Sequence, residues 1–139
     1  MGRAMARRLR YFVSWNEGIS RRGDESPMKM IEAIIQPYRL DAVKQALSQL
    51  DVRGLTVAEV LGFGRQKGRT IEYRGTTTTP QFVAKLKLQI VVTDAQASEV
   101  EEAICRSART GNVGDGKIYV HTLDQVSRIR TGEKGDSAV

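Results

Sequence analysis

The chain has 139 residues, 40% of them hydrophobic and 27% charged, with a formal net charge of +6. These are the proportions of one globular domain with room for a core. No apolar run approaches the length of a membrane helix, which excludes a helical integral membrane protein. The single Cys105 cannot form an internal disulfide, which suits a reducing, cytoplasmic setting. The charge is unevenly spread. Residues 1–27 hold six Arg against three acids, whereas 28–139 hold 16 basic and 13 acidic residues. The body is only mildly basic and does not read as a nucleic-acid-binding surface.

Residues 1–27 are Arg-rich and show no sustained amphipathic period. They are open to three readings: a transit-like peptide, a regulatory tail, or translation from a start placed too early. Met28 followed by an immediate strand looks like a natural beginning, so a misassigned start is preferred and the extension is otherwise expected to be disordered. "MIEAIIQPY" alternates and is β-branched, a strand ended near Pro37. "LDAVKQALSQLD" sets Leu40, Val43, Leu47 and Leu50 on one helical face. "LTVAEVLGFG" is a second strand. The stretch "RQKGRTIEYRGTTTTPQFVA" has no period and is far longer than a hairpin turn, which marks it as an exposed functional arm.

"KLKLQIVVTD" is a third strand, with Leu86, Leu88 and Ile90 alternating against Lys85, Lys87 and Gln89. "ASEVEEAICRSART" is a second helix, with Ser98 and Glu101 in capping-box spacing and Val100, Ala103, Ile104 and Ala108 inward. "KIYVHTL" is a fourth strand. The order βαβ, interruption, βαβ indicates an α+β ferredoxin-like sandwich, one antiparallel sheet with both helices on one face. The other face reads as apolar enough to take a second subunit in a closed oligomer.

"GNVGDGKI" (Gly111 to Ile118) fits the phosphate-loop pattern G-x-x-x-x-G-K, but Ile118 stands where a Mg²⁺-ligating hydroxyl belongs. A helix enters this loop and a strand leaves it, the reverse of a P-loop ATPase. Its glycines still permit amide groups to turn inward as an anion nest, flanked by Arg109 and Lys117. "SRIRTGEKG" places Arg128 and Arg130 two apart, hence on the same side of an extended chain, and paired guanidiniums suit polyphosphate. "GFGRQKG" at Gly62 to Gly68 is another glycine-flanked cationic turn. His121 stands without metal-ligand company. Cys105 reads as a packing residue beside Ile104, and Glu99, Glu101 and Glu102 as a solvated helix face.

Together "EAIIQPYRLDAVKQAL", "GLTVAEVLGFGRQKG", "EYRG", "ARTGNVGDGKIYV" and "IRTGEKG" closely resemble the PII nitrogen-regulatory signal-transduction family, over essentially all of 28–139. The resemblance implies a non-catalytic homotrimer that binds ATP or ADP in clefts between subunits, with 2-oxoglutarate joining ATP through Mg²⁺. It also implies an effector loop at 64–84, a phosphate loop at 109–117 and a C-terminal segment at 128–139. Thr56 and the Val91 backbone would face adenine, and Gly64, Arg65 and Gln66 would line the nucleotide. Gly114, Asp115, Gly116 and Lys117 would wrap the phosphates, and Arg128 and Arg130 would complete the grip from the adjacent subunit. Gln66 would ligate Mg²⁺. Lys85 would pair with 2-oxoglutarate, helped by amides near Lys67 and Gly68.

Targets in the family include ammonium channels, glutamine-synthetase-modifying enzymes, acetylglutamate kinase and transcription factors. Contact with a membrane is therefore expected only through a channel partner, and contact with nucleic acid not directly. Thr78 occupies the place of the tyrosine that is uridylylated in many bacterial members, and Thr76 that of a serine phosphorylated in others. The competing readings are an ATP-hydrolysing enzyme built on the glycine loop and a basic nucleic-acid-binding module using Arg3 to Arg10.

Overall fold

The computed structural model describes residues 12–15, 27–64 and 82–139. Five strands form one sheet: β1 (Phe12–Trp15), β2 (Met28–Ile35), β3 (Gly54–Gly62), β4 (Val83–Thr93) and β5 (Lys117–Leu123). Their spatial order is β1-β3-β4-β2-β5, and every pairing is antiparallel. Two helices connect them, α1 (Leu40–Ser48) and α2 (Asp94–Ala108). β2 and β3 are joined through α1 but separated by β4, and β4 and β5 are joined through α2 but separated by β2. This is the split βαβ arrangement of a ferredoxin-like α+β fold.

Period-two alternation decides which face is covered. Ile31, Ala33 and Ile35 of β2 and Leu88, Ile90 and Val92 of β4 are buried against Val43 and Leu47 of α1 and Val100, Ile104 and Ala108 of α2. A fully buried Val, Leu or Ile is worth about 1.5–3 kcal/mol, so this helix-covered face carries most of the stability. The opposite face is mixed rather than apolar. Half-buried Met30, Ile34 and Val91 interleave with Lys85, Lys87 and Gln89, and Gln89 Nε2 donates to Glu32 Oε2 at 3.1 Å.

α2 begins four residues before the Ser98–Glu101 pair expected to cap it. The operative box is Thr93 with Gln96, whose side chain accepts from the Thr93 N–H at 3.3 Å. Thr-x-x-Gln offers the same chemistry as Ser-x-x-Glu, and the end of β4 puts it where the chain turns. The Asp94 N–H, another helix-start donor, bonds Pro27 O at 2.9 Å. Residues 12–15, for which the sequence pattern suggested no element, form an outer strand in register with β3 from Phe12 opposite Val57 to Trp15 opposite Gly54.

Candidate functional site

The loop between α2 and β5 is built by its own side chains. α2 stops at Ala108, and Arg109 is already extended (φ −68°, ψ 131°). The Asp115 carboxylate then folds back to accept the Thr110 hydroxyl and the N–H groups of Thr110 and Gly111, the latter two at 2.9 Å each. The Thr110 hydroxyl, ahead of the two amides and Arg109, holds this carboxyl below its ordinary value, with burial opposing. Asp115 is thus the brace of the turn, and its side chain is spent inside the loop. Only its backbone is left to meet an anion, which narrows the part expected of it.

Gly116 (φ +100°) lies so close to β2 that a Cβ there would sit 1.7 Å from Ile34 O. No residue with a side chain fits without moving the strand. Gly114 (φ +103°) is the loop's contact with the rest of the sheet end: its carbonyl accepts from Gln36 Nε2 at 2.9 Å and from Lys85 Nζ. Lys85 therefore stands at the loop. Gln36 escaped the sequence reading because a polar residue between a strand and Pro37 looks like ordinary turn chemistry. Gly111 to Gly114, Gly116 and Lys117 are exposed.

Thr56, Lys85, Val91 and Lys117 all alternate onto the sheet face that the helices leave open, opposite to Leu55, Leu86, Val92 and Ile118, which pack with the core. Gly64 follows the end of β3 and is exposed. Beside it Phe63 and Phe82 stack obliquely, with ring centroids 5.7 Å apart, where the chain leaves the sheet and returns to it. Arg65, Gln66, Lys67, Gly68, Thr76 and Thr78 lie outside the described residues.

The two arginines occupy a hairpin, not an extended run. Arg128 N–H bonds Glu133 O at 2.8 Å, Gly132 N–H returns to Arg128 O at 2.8 Å, and Gly135 N–H reaches Val126 O at 3.0 Å. The chain turns through Ile129, Arg130 and Thr131, so two-residue spacing no longer puts both guanidiniums on one side. Arg128 Nη1 is 2.8 Å from Glu133 Oε2. The loop precedes β5 and the hairpin follows it. Seven residues of strand separate their attachment points by about 20 Å, and among the described residues Arg128 bonds only within the hairpin.

Among the described residues, no group of three or more His, Cys, Asp or Glu is placed to hold a metal, and no helix is long and apolar enough to cross a membrane. Cys105, expected to pack, is exposed, because it falls one position past Ile104 and outside the buried stripe of α2. Glu99, Glu101 and Glu102 are exposed as expected.

A family model described as Nitrogen regulatory protein P-II matches residues 28–133. Curated proteins called nitrogen regulatory protein P-II from Pasteurella multocida and Nostoc punctiforme are 52% and 54% identical over 112 residues, which is 81% of this chain and all of each relative. Among solved structures, Arabidopsis thaliana PII bound to citrate superposes with a TM-score of 0.68 at 40% identity, covering 82% of this chain and 94% of that one. B. subtilis GlnK gives 0.69 at 37% identity, covering 82% of this chain and all of its own.

Proposed function

This chain belongs to the nitrogen regulatory P-II family, and on that premise we propose that it is a homotrimeric sensor of ATP, ADP and 2-oxoglutarate. Its relatives are named as regulatory proteins and not as enzymes, and its role is regulatory. The observation carrying the proposal is the separation of the two phosphate-gripping elements across β5, about 20 Å. One protomer's loop and its own hairpin do not close on a single polyphosphate, whereas an adjacent protomer's hairpin can be carried to the loop by rotation in a closed ring.

In this reading Gly114, Gly116 and Lys117 take the phosphates with the backbone of Asp115. Gly64, Arg65 and Gln66 line the nucleotide, Thr56 and the Val91 backbone face adenine, and Arg128 and Arg130 arrive from the neighbour. Lys85 receives a carboxylate of 2-oxoglutarate beside the amides of Lys67 and Gly68. The citrate, a tricarboxylate, bound by the Arabidopsis relative supports a carboxylate site in this fold. Mg²⁺ would lie between nucleotide and 2-oxoglutarate oxygens with Gln66. This fits a described site that has no free carboxylate cluster, since Asp115 is already tied to Thr110 and Gly111.

The readout is linkage. A ligand changes the presentation of 64–84 only by binding its conformations unequally, and targets in the cytoplasm, such as an ammonium channel, a glutamine-synthetase-modifying enzyme or acetylglutamate kinase, read that segment. Titration calorimetry of Lys85→Ala should show 2-oxoglutarate binding, measured with MgATP, weakened far more than ADP binding. Equal losses for both ligands remove Lys85 from the carboxylate site. A chain that sediments as a monomer, with a melting temperature indifferent to saturating ATP and ADP, overturns the sensor itself.

A further inference from the structure

Arg128 belongs to the proposed nucleotide grip, but Thr131 and Glu133, in the same turn, have no role in it so far. Their geometry is specific. Glu133 Oε2 receives both Arg128 Nη1 at 2.8 Å and the Thr131 hydroxyl at 3.0 Å, while Glu133 N–H returns to Thr131 Oγ1 at 3.3 Å. The backbone pair Arg128 N–H to Glu133 O closes the same ring. Although it projects from a surface hairpin, the Arg128 side chain keeps only 14% of its exposure, against 42% for Glu133. Such shelter requires a partner for the charge, and Glu133 supplies it.

The contact is single-pointed. A carboxylate that saturated the guanidinium would use both oxygens on two parallel N–H groups. Here one oxygen meets one nitrogen, and Thr131 pins that oxygen; among the described residues the guanidinium has no second side-chain hydrogen bond or ion pair, which leaves the rest of the planar fork for an incoming anion. Resting on the nucleotide-binding reading above, we propose that Glu133 is a positioning residue for Arg128. Its carboxylate, pinned by Thr131, fixes the guanidinium plane before polyphosphate arrives and so removes the rotamer entropy that binding would otherwise lose.

The test is calorimetric titration of the full chain with MgATP for wild type, Glu133→Ala, Glu133→Gln, Arg128→Ala and the double variant Arg128→Ala/Glu133→Ala. Freezing one long side chain corresponds to an affinity change of about three- to tenfold, and Glu133→Ala should lose that much. Glu133→Gln keeps an acceptor oxygen and should bind within about twofold of wild type. In the Arg128→Ala background the Glu133→Ala change should cost nothing further, because the group it orients is gone.

A merely structural role would make the two losses add, with a matching fall in melting temperature, and would refute the assignment. Tighter ATP binding by Glu133→Ala would also refute it, by making the carboxylate a competitor for Arg128. ATP binding that ignores Arg128→Ala sinks this inference alone, whereas a wild-type chain blind to ATP sinks the nucleotide reading with it.

Discussion

Two stretches of this chain begin with the same three residues, Arg109-Thr110-Gly111 in the glycine loop and Arg130-Thr131-Gly132 in the hairpin, and both threonine hydroxyls donate to a nearby carboxylate. The tolerance of the two turns nevertheless differs. In the loop, Gly116 lies against the Ile34 carbonyl, 1.7 Å from where a Cβ would be, while a Cβ at Gly132 or Gly135 meets nothing within 4 Å. One turn is held by the sheet, the other by its own bonds. The local sequence determines that a turn forms. Packing against β2 determines which turn can change.

Alanine substitution is the most direct way to break the comparison. Gly116→Ala combines a positive φ with a backbone collision and should cost about 3 kcal/mol or more, or prevent folding. Gly114→Ala should fall between, since its Cβ would press on Gln36 Nε2 at 3.1 Å and Lys85 Nζ at 3.4 Å, both flexible ends that can yield. Gly132→Ala faces only its φ of +71° and should cost about 1–2 kcal/mol. Chemical denaturation orders the three. A Gly116→Ala protein as stable as Gly132→Ala would show that β2 does not constrain the loop.

The carboxylates sharpen the same contrast by pH. Asp115 is held below its ordinary value in the folded chain, chiefly by the Thr110 hydroxyl. A depressed folded value means that its stabilisation is fully present above the unfolded carboxyl value, about 3.9, and is lost as pH falls through the folded one. The melting temperature of Asp115→Asn should therefore lie below wild type at neutral pH and converge on it below about pH 4. A constant offset across that range would show that Asp115 acts by packing, not by charge.

The smallest expected change is the stability of Glu133→Ala. Glu133 is the open end of the pair, with 42% of its side chain exposed, so solvent screens it and it contributes about 1 kcal/mol or less; thermal melts should barely move. The hairpin would then matter to ligands and not to the fold.

Reading forward from the sequence, element type was legible wherever a period was long enough to be unambiguous. β5 begins and ends where "KIYVHTL" does, and the inward set of α2 is buried as its spacing demands. Chemistry that depends on short polar contacts was much harder to read. Thr93-x-x-Gln96 and Ser98-x-x-Glu101 are equivalent as strings, and only the end of β4 selects between them. Asp115 was counted among the phosphate-wrapping residues because the family resemblance implies it. In the folded loop its carboxylate comes back onto Thr110 and Gly111. Arg128 and Arg130 were placed on one side by assuming an extended chain, whereas the chain turns through Ile129, Arg130 and Thr131.

From the amino-acid order alone come the βαβ-βαβ plan, the inward set of each helix and the family to which the chain belongs. These depend on periodicity and on residue types at fixed spacing, which are local properties. Only the folded chain decides that Lys85 and Gln36 meet at the Gly114 carbonyl and that Gly116, against Ile34, has no alternative. Each of those facts depends on residues far apart in sequence, brought within a few ångströms when the strands pair in the order β1-β3-β4-β2-β5.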